Sequence, residues 1–125
     1  MPTVLVVEDE WVIAEVLAVT LADAGYQVIT AANGRQALAS LAETRPDVIV
    51  TDTMMPILDG PGLLTALATD PGHQDIPVIL MSALDGAAVA KLVQGHRAFL
   101  GKPFLGPELL RVLERVLGEA ANGSS

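Results

Sequence analysis

Residues 4–10 read Val-Leu-Val-Val-Glu-Asp-Glu, an apolar and mostly β-branched run followed directly by three acids. A continuous apolar run of this length is typical of a strand that helices cover on both faces of a parallel sheet. Residues 48–51 read Val-Ile-Val-Thr and lead in the same way to Asp52. We therefore expect two buried strands that each lead directly to carboxylates.

The rest of the chain alternates short apolar runs with segments of helical periodicity. Strands are predicted at 4–7, 26–30, 48–51, 78–81 and 98–100. Helices are predicted at 11–24, after Gly34, after Pro61, over 86–94, and from Pro107 to Leu117. Five uninterrupted alternations predict an α/β fold with a doubly wound parallel sheet, right-handed crossovers and helices on both faces. Residues 1–118 are predicted to form a single domain, and the small, polar residues 119–125 a flexible tail or linker.

Composition excludes several classes of protein. The formal net charge of −8, without clustered Lys and Arg, argues against nucleic acid as a partner. The absence of cysteine excludes disulfides, thiolate metal sites and cysteine catalysis, and suits a reducing compartment. No basic leader precedes an apolar stretch, and no apolar run approaches the ~20 residues that span a bilayer. We expect a cytoplasmic protein that does not contact membranes.

The polar residues that follow the predicted strands have complementary chemistry. The carboxyl ends of parallel strands gather at one edge of a sheet, so Glu8, Asp9 and Asp52 are expected to meet there. Each pair of carboxylates would repel by about 4 kcal/mol at ~4 Å and an effective dielectric near 20. Mg²⁺ prefers hard oxygen ligands, and Lys102, after the last strand, supplies a compact positive charge. The sequence therefore predicts a site for a divalent cation and a phosphoryl group, with the Ser82 hydroxyl at the same edge.

Five motifs in this order resemble a known family. They are Glu8-Asp9-Glu10, Asp52 to Pro56 with Asp59-Gly60, Ser82-Ala83, Phe99, and Lys102-Pro103-Phe104. Over residues 2 to about 118 the chain resembles the receiver domain of bacterial two-component response regulators. The resemblance implies a flavodoxin-like fold with five parallel strands in the order 2-1-3-4-5.

The resemblance also implies a phosphorylation switch that depends on Mg²⁺ or Mn²⁺. Asp52 would accept a phosphoryl group from a phosphohistidine on a histidine kinase or a histidine phosphotransfer protein. Asp9, Asp52 and the backbone carbonyl of Met54 would bind the ion directly, and Glu8 would bind it through water. The domain would catalyse its own phosphorylation and dephosphorylation and would not be a turnover enzyme.

Three residues are implied to transmit the signal. Ser82 and Lys102 would contact the phosphoryl oxygens, and the movement of Ser82 would let Phe99 turn inward. The surface formed by the fourth helix, the fifth strand and the fifth helix would then change and bind a downstream protein, with a homodimer possible on activation. Whether the receiver stands alone or belongs to a longer chain stays open.

One segment departs from the family pattern. The stretch between Ser82 and Lys102 is slightly shorter than usual, and residues 95–98 read Gly-His-Arg-Ala where Gly-Ala-acid-acid is commoner. Arg97 adds positive charge where acids are frequent. Because this segment contributes to the implied output surface, we expect an unusual partner surface.

Two other functions compete with the switch. An aspartate-nucleophile phosphatase resembles this pattern but carries a second acid two residues after the nucleophile, and Met54 occupies that position. An interaction module that works without phosphorylation would not need the acids and Lys102. A dinucleotide-binding domain is disfavoured because the loop after the first strand has no glycine fingerprint and carries acids that repel pyrophosphate.

Overall fold

The computed structural model describes residues 2–55, 57–84, 86–92 and 95–123. Pro56 of the loop motif, residues 93–94 of the predicted fourth helix and residues 124–125 of the predicted tail lie outside these ranges.

Five strands form one parallel sheet in the order β2-β1-β3-β4-β5. The strands are β1 Thr3–Val7, β2 Gln27–Ala31, β3 Val48–Asp52, β4 Val78–Ser82 and β5 Ala98–Gly101. The helices are α1 Trp11–Asp23, α2 Gly34–Leu41, α3 Gly60–Ala68, α4 Gly86–Leu92 and α5 Gly106–Gly123. This arrangement confirms the predicted fold class and strand order.

The core consists of two apolar layers, one on each face of the sheet. Alternate residues of β1 show the division, because Leu5 and Val7 pack with α2, α3 and α4. Val4 and Val6 pack with α1 and α5 on the other face. All four are at most 1% exposed, and burying each side chain stabilises the fold by about 1.5–3 kcal/mol. Burial on both faces explains why the run is continuously apolar.

The second strand begins one residue later than predicted. Gly25 adopts a φ of 99°, the left-handed conformation expected after a helix. The backbone N–H of Tyr26 donates to the Leu21 carbonyl at 3.0 Å. Because this hydrogen bond belongs to the end of α1, Tyr26 cannot join the β ladder, and β2 starts at Gln27.

The last helix is longer than predicted at both ends. It begins at Gly106 and continues to Gly123, through residues assigned to a tail from sequence. An ion pair between Arg115 and Glu119, one turn apart, and the high helix propensity of alanine at 120 and 121 favour this extension. The domain boundary at residue 118 stays a prediction. Among the described helices, none is both long and apolar enough to cross a membrane.

Ile57, in the loop between β3 and α3, has a φ of 70° and is 74% exposed. A β-branched residue in this left-handed region costs about 1–3 kcal/mol, whereas asparagine adopts it more readily. We expect Ile57→Asn to raise the free energy of unfolding by about 1 kcal/mol in urea denaturation. Ile57→Val, which stays β-branched, is the control, and an equal change in both variants would contradict the strain argument.

Candidate functional site

Parallel pairing brings the carboxyl ends of all five strands together at one edge of the sheet. Asp52, the last residue of β3, lies beside Met81, and Ser82, the last residue of β4, lies beside Gly101. Glu8 follows β1 directly, and its N–H donates to Ala31 of β2 at 3.0 Å. The residues that the sequence placed at strand ends therefore share one edge.

Lys102 connects two of the carboxylates. Its Nζ donates to Oε1 of Glu8 at 2.8 Å and to Oδ2 of Asp52 at 3.2 Å. Its backbone N–H donates to the Ser82 carbonyl at 2.7 Å, and its peptide bond to Pro103 is cis. Burial alone would lower the pKa of Lys102, but the bonds to Glu8 and Asp52 outweigh burial and raise it. Lys102 is therefore a fixed positive charge at the centre of the site.

Glu8 is the buried member of the acidic cluster. Its side chain is fully buried, and the Glu10 N–H lies 3.5 Å from Oε2. Burial raises its pKa to about 7; the hydrogen bond from Lys102 opposes this shift, and the adjacent Asp52 adds to it. Glu8 therefore binds a proton far more readily than an exposed glutamate.

This shifted pKa predicts a pH dependence of stability in the ion-free protein. Between pH values of about 4.5 and about 7, folded Glu8 holds more proton than unfolded Glu8. Stability is therefore expected to fall as the pH rises through this window, because the unfolded state binds fewer protons. Urea denaturation in EDTA measures this slope. Glu8→Gln should flatten this slope, and an unchanged slope in Glu8→Gln would contradict the assignment.

Three carboxylates form the candidate cation site. Oxygen atoms of Glu8, Asp9 and Asp52 lie within 4.8 Å of one another, and Asp9 is the exposed member. The Asp52 side chain is 14% exposed, so it is shielded but still open to solvent. Three acids against one lysine leave a concentration of negative charge and hard oxygen ligands, which fits a divalent cation such as Mg²⁺.

The backbone around Asp52 holds its carboxylate in place. Oδ1 accepts the Thr53 N–H at 2.9 Å, while the Thr53 hydroxyl donates to the Met81 carbonyl at the same distance. A Cβ on Gly60 would lie 2.7 Å from the carbonyl oxygen of Asp52, so only glycine lets α3 begin this close to the end of β3. The sequence analysis did not identify Thr53 as a site residue. The available signal was its position directly after Asp52.

The two predicted switch residues lie on neighbouring strands, Ser82 on β4 and Phe99 on β5. Ser82 is buried, and its hydroxyl oxygen accepts the Leu84 N–H of its own loop at 3.0 Å. Phe99 is half-buried and packs against the core beneath α2, α3 and α4. The structure thus places Ser82 at the site edge and Phe99 one strand away, next to α4. The Met54 side chain is 65% exposed, and the ligand role of its carbonyl stays a prediction.

A cleft of about 410 Å³ opens beside the acids, between α1 and the end of β2. Its lining includes Glu8, Asp9, Glu15 and Trp11, the only tryptophan of the chain. Trp11 is 74% exposed. An ion at the acidic cluster would therefore alter the surroundings of the indole, which provides an intrinsic fluorescent probe.

The fold and this edge define a class of α/β domain in which a cluster of carboxylates meets a lysine at the carboxyl end of the sheet. The family model for the response regulator receiver domain matches residues 4–114. The chain belongs to the response regulator receiver domain family.

Three relatives illustrate the similarity of this chain to known proteins. The chain is 42% identical over 99% of its length to the transcriptional regulatory protein PrrA of Mycobacterium tuberculosis and covers 54% of that protein. It thus spans about half the length of the curated relatives it matches. The chemotaxis response regulator CheY4 of Vibrio cholerae is 35% identical, with a TM-score of 0.87 and coverage of 93% of this chain and 98% of that one. The receiver domain of the sensor histidine kinase PA1611 of Pseudomonas aeruginosa, solved with magnesium in its active-site cleft, is 32% identical, with a TM-score of 0.84 and coverage of 94% and 98%.

Proposed function

We propose that this receiver domain is switched by transfer of a phosphoryl group from a phosphohistidine to Asp52. The observation that carries the proposal is the Asp52 carboxylate, 14% exposed, 3.2 Å from the Lys102 ammonium and beside two further carboxylates. A carboxylate at a rigid strand end is a suitable nucleophile for an activated phosphoryl group. Membership of the family supports a signalling role over a turnover enzyme.

The transfer exchanges one bond to phosphorus for another. A carboxylate oxygen of Asp52 attacks the phosphorus, the P–N bond breaks, and the departing imidazole nitrogen keeps the electron pair and takes up a proton. The product is an acyl phosphate on Asp52. Its additional negative charge is placed within reach of Lys102, which already contacts Oδ2.

Asp9, Asp52 and the Met54 carbonyl are proposed to hold Mg²⁺ or Mn²⁺, with Glu8 acting through water. When bound, the ion offsets the clustered negative charge and binds phosphoryl oxygens. Exposed Asp9 and partly exposed Asp52 give the cluster access to solvent, and a carboxylate oxygen of buried Glu8 lies within 4.8 Å of both. Magnesium in the cleft of the related PA1611 receiver domain supports this assignment.

Ser82 and Phe99 are proposed to carry the signal away from the site. The Ser82 hydroxyl oxygen accepts the Leu84 N–H and can still donate its own proton to a phosphoryl oxygen. Because Leu84 is bonded to the same hydroxyl, a movement of Ser82 toward Asp52 would carry the start of the loop after β4 with it. Phe99 packs beside α4 and can then turn inward, which changes the surface formed by α4, β5 and α5.

An apolar surface beside Lys102 is proposed to receive the histidine-bearing donor. A groove of about 490 Å³ includes Val12, Val16 and Phe104 and reaches Lys102 itself. Because α1 is apolar on its outer face as well as its inner one, this face fits an apolar helix. A donor helix seated here would present its histidine next to the Asp52 site.

Val16→Glu is expected to slow transfer from a phosphorylated histidine kinase by about tenfold, through loss of docking. Val16 is 59% exposed, so the fold tolerates the change. Labelling by acetyl phosphate, which needs no docking, should stay unchanged. Val19→Glu, at a 56% exposed position outside the groove, is the matched control. Equal slowing in both variants would contradict a specific docking surface.

Incubation with Mg²⁺ and acetyl phosphate tests the proposed function. Intact-mass spectrometry should show one added phosphoryl group that hydroxylamine removes and that EDTA prevents. Absence of an adduct would contradict the switch and favour an interaction module that works without phosphorylation. Rapid release of phosphate from many phosphomonoesters would contradict it in favour of a phosphatase.

A further inference from the structure

Two fully buried threonines, Thr51 and Thr53, flank the proposed phosphoacceptor Asp52. A buried hydroxyl is costly unless it has a hydrogen-bond partner, and each of these has one. The Thr51 hydroxyl donates to the carbonyl of Asp52, the next residue of its own strand, at 3.0 Å. The Thr53 hydroxyl instead crosses to β4 and donates to the Met81 carbonyl at 2.9 Å. Of the two hydroxyls, only that of Thr53 connects the segment around Asp52 to another strand.

The backbone of Thr53 makes further contacts on both sides. Its N–H lies between two acceptors, Oδ1 of Asp52 at 2.9 Å and the Met81 carbonyl at 3.0 Å. Its carbonyl accepts the N–H of Gly60, the first residue of α3, at 3.0 Å. Thr53 therefore joins the phosphoacceptor, β4 and the start of α3.

The shared N–H gives the Thr53 hydroxyl a specific task. A carbonyl oxygen has two lone pairs, and the Met81 carbonyl accepts both the hydroxyl and the N–H of Thr53. Without the hydroxyl, this buried carbonyl would have lost one of its two donors, and it would draw more strongly on the other. The N–H would then turn toward Met81 and away from the Asp52 carboxylate.

We propose that Thr53 is a positioning residue for phosphoryl transfer. Its hydroxyl occupies the Met81 carbonyl and thereby leaves the Thr53 N–H directed at Oδ1 of Asp52. Because Lys102 donates to Oδ2 at 3.2 Å, the carboxylate is then held at both oxygens. A fixed orientation matters because a small misplacement of a reacting group slows a reaction strongly. The inference rests on the proposed function only in naming the reaction that Asp52 performs.

Thr53→Val, which removes the hydroxyl and keeps the shape of the side chain, is expected to slow labelling by acetyl phosphate and Mg²⁺ about tenfold. Thr53→Ala should slow it similarly, and Thr53→Ser, which keeps the hydroxyl, should restore the rate to within about threefold of wild type. Thr51→Val removes an equally buried hydroxyl on the other side of Asp52. This control should change the rate less than about twofold. Intact-mass spectrometry over time gives these rates.

The amide proton of residue 53 reports the bond to Asp52 without any phosphoryl donor. In ¹H–¹⁵N NMR spectra recorded in EDTA, Asp52→Asn should shift this proton, because the charge on its acceptor is lost. The same substitution made together with Thr53→Val should shift it by about half as much or less, since the N–H has already turned toward Met81. Made together with Thr51→Val, it should give the wild-type shift.

Three outcomes would overturn the positioning role. They are an unchanged labelling rate in Thr53→Val, equal slowing in Thr53→Val and Thr51→Val, and an Asp52→Asn shift that is the same with and without the Thr53 hydroxyl. A wild-type adduct that forms equally fast in Thr53→Val contradicts only this inference. Absence of an adduct in wild type contradicts the switch, and the amide shifts then still decide whether the hydroxyl directs the N–H to Asp52.

Discussion

Asp52→Asn is expected to abolish formation of the phosphoryl adduct. The amide is neutral and a poor nucleophile, and it loses the charge that pairs with Lys102 at 3.2 Å. Glu8 is not expected to substitute, because its side chain is fully buried and already bonded to Lys102. Intact-mass spectrometry after treatment with acetyl phosphate and Mg²⁺ measures this loss directly.

Asp59→Asn is the matched control for this variant. Asp59 lies in the same loop and caps α3, where its side chain accepts the Gly62 N–H at 2.9 Å. Asparagine caps a helix about as well as aspartate, so the fold and the adduct should both be retained. An adduct of equal yield in Asp52→Asn and wild type would rule out Asp52 as the acceptor.

Asp9→Asn is expected to weaken binding of Mg²⁺ by more than about tenfold, because it removes one of three clustered charges and one hard ligand. The measurement is a titration of Trp11 fluorescence with MgCl₂, since the indole lines the cleft beside the acids. Wild-type emission should change and saturate. The variant should show that change only at much higher concentrations.

Glu10→Gln is the control for the titration. Glu10 is exposed, adjacent in sequence and outside the group of carboxylates that lie within 4.8 Å of one another. The Glu10→Gln substitution removes the same charge from the same segment as Asp9→Asn, so the general electrostatic attraction of Mg²⁺ to the protein changes equally. Equal losses in Asp9→Asn and Glu10→Gln would show that the ion responds only to net charge. That result would contradict a defined site.

Much of the fold was predictable because burial on both faces requires apolar residues at every strand position. The runs at 4–7 and 48–50 have this property, and the strand ends that follow them carry the site. The exact start of β2 was not predictable, because it depends on the hydrogen bond from Tyr26 to Leu21. The extension of α5 was missed because small, polar residues at a chain end are read as a tail, although alanine favours a helix.

The candidate site was predictable as a set of residues but not as a set of contacts. Glu8, Asp9, Asp52 and Lys102 converge because parallel strands share an edge. Sequence did not show that Lys102 bonds to Glu8 more closely than to Asp52, nor that the Ser82 hydroxyl oxygen accepts an N–H of its own loop. These details depend on side-chain conformations that no local pattern specifies.

Identifying the residue that carries the phosphoryl group is the most direct test of the switch. Borohydride reduces a phosphoaspartate to homoserine, and peptide sequencing by mass spectrometry then locates the modified position. After treatment with acetyl phosphate and Mg²⁺, we expect homoserine at position 52 and at no other acid. Modification at Glu8 or Asp9, or no modification at all, would contradict the assignment of Asp52 as the phosphoacceptor.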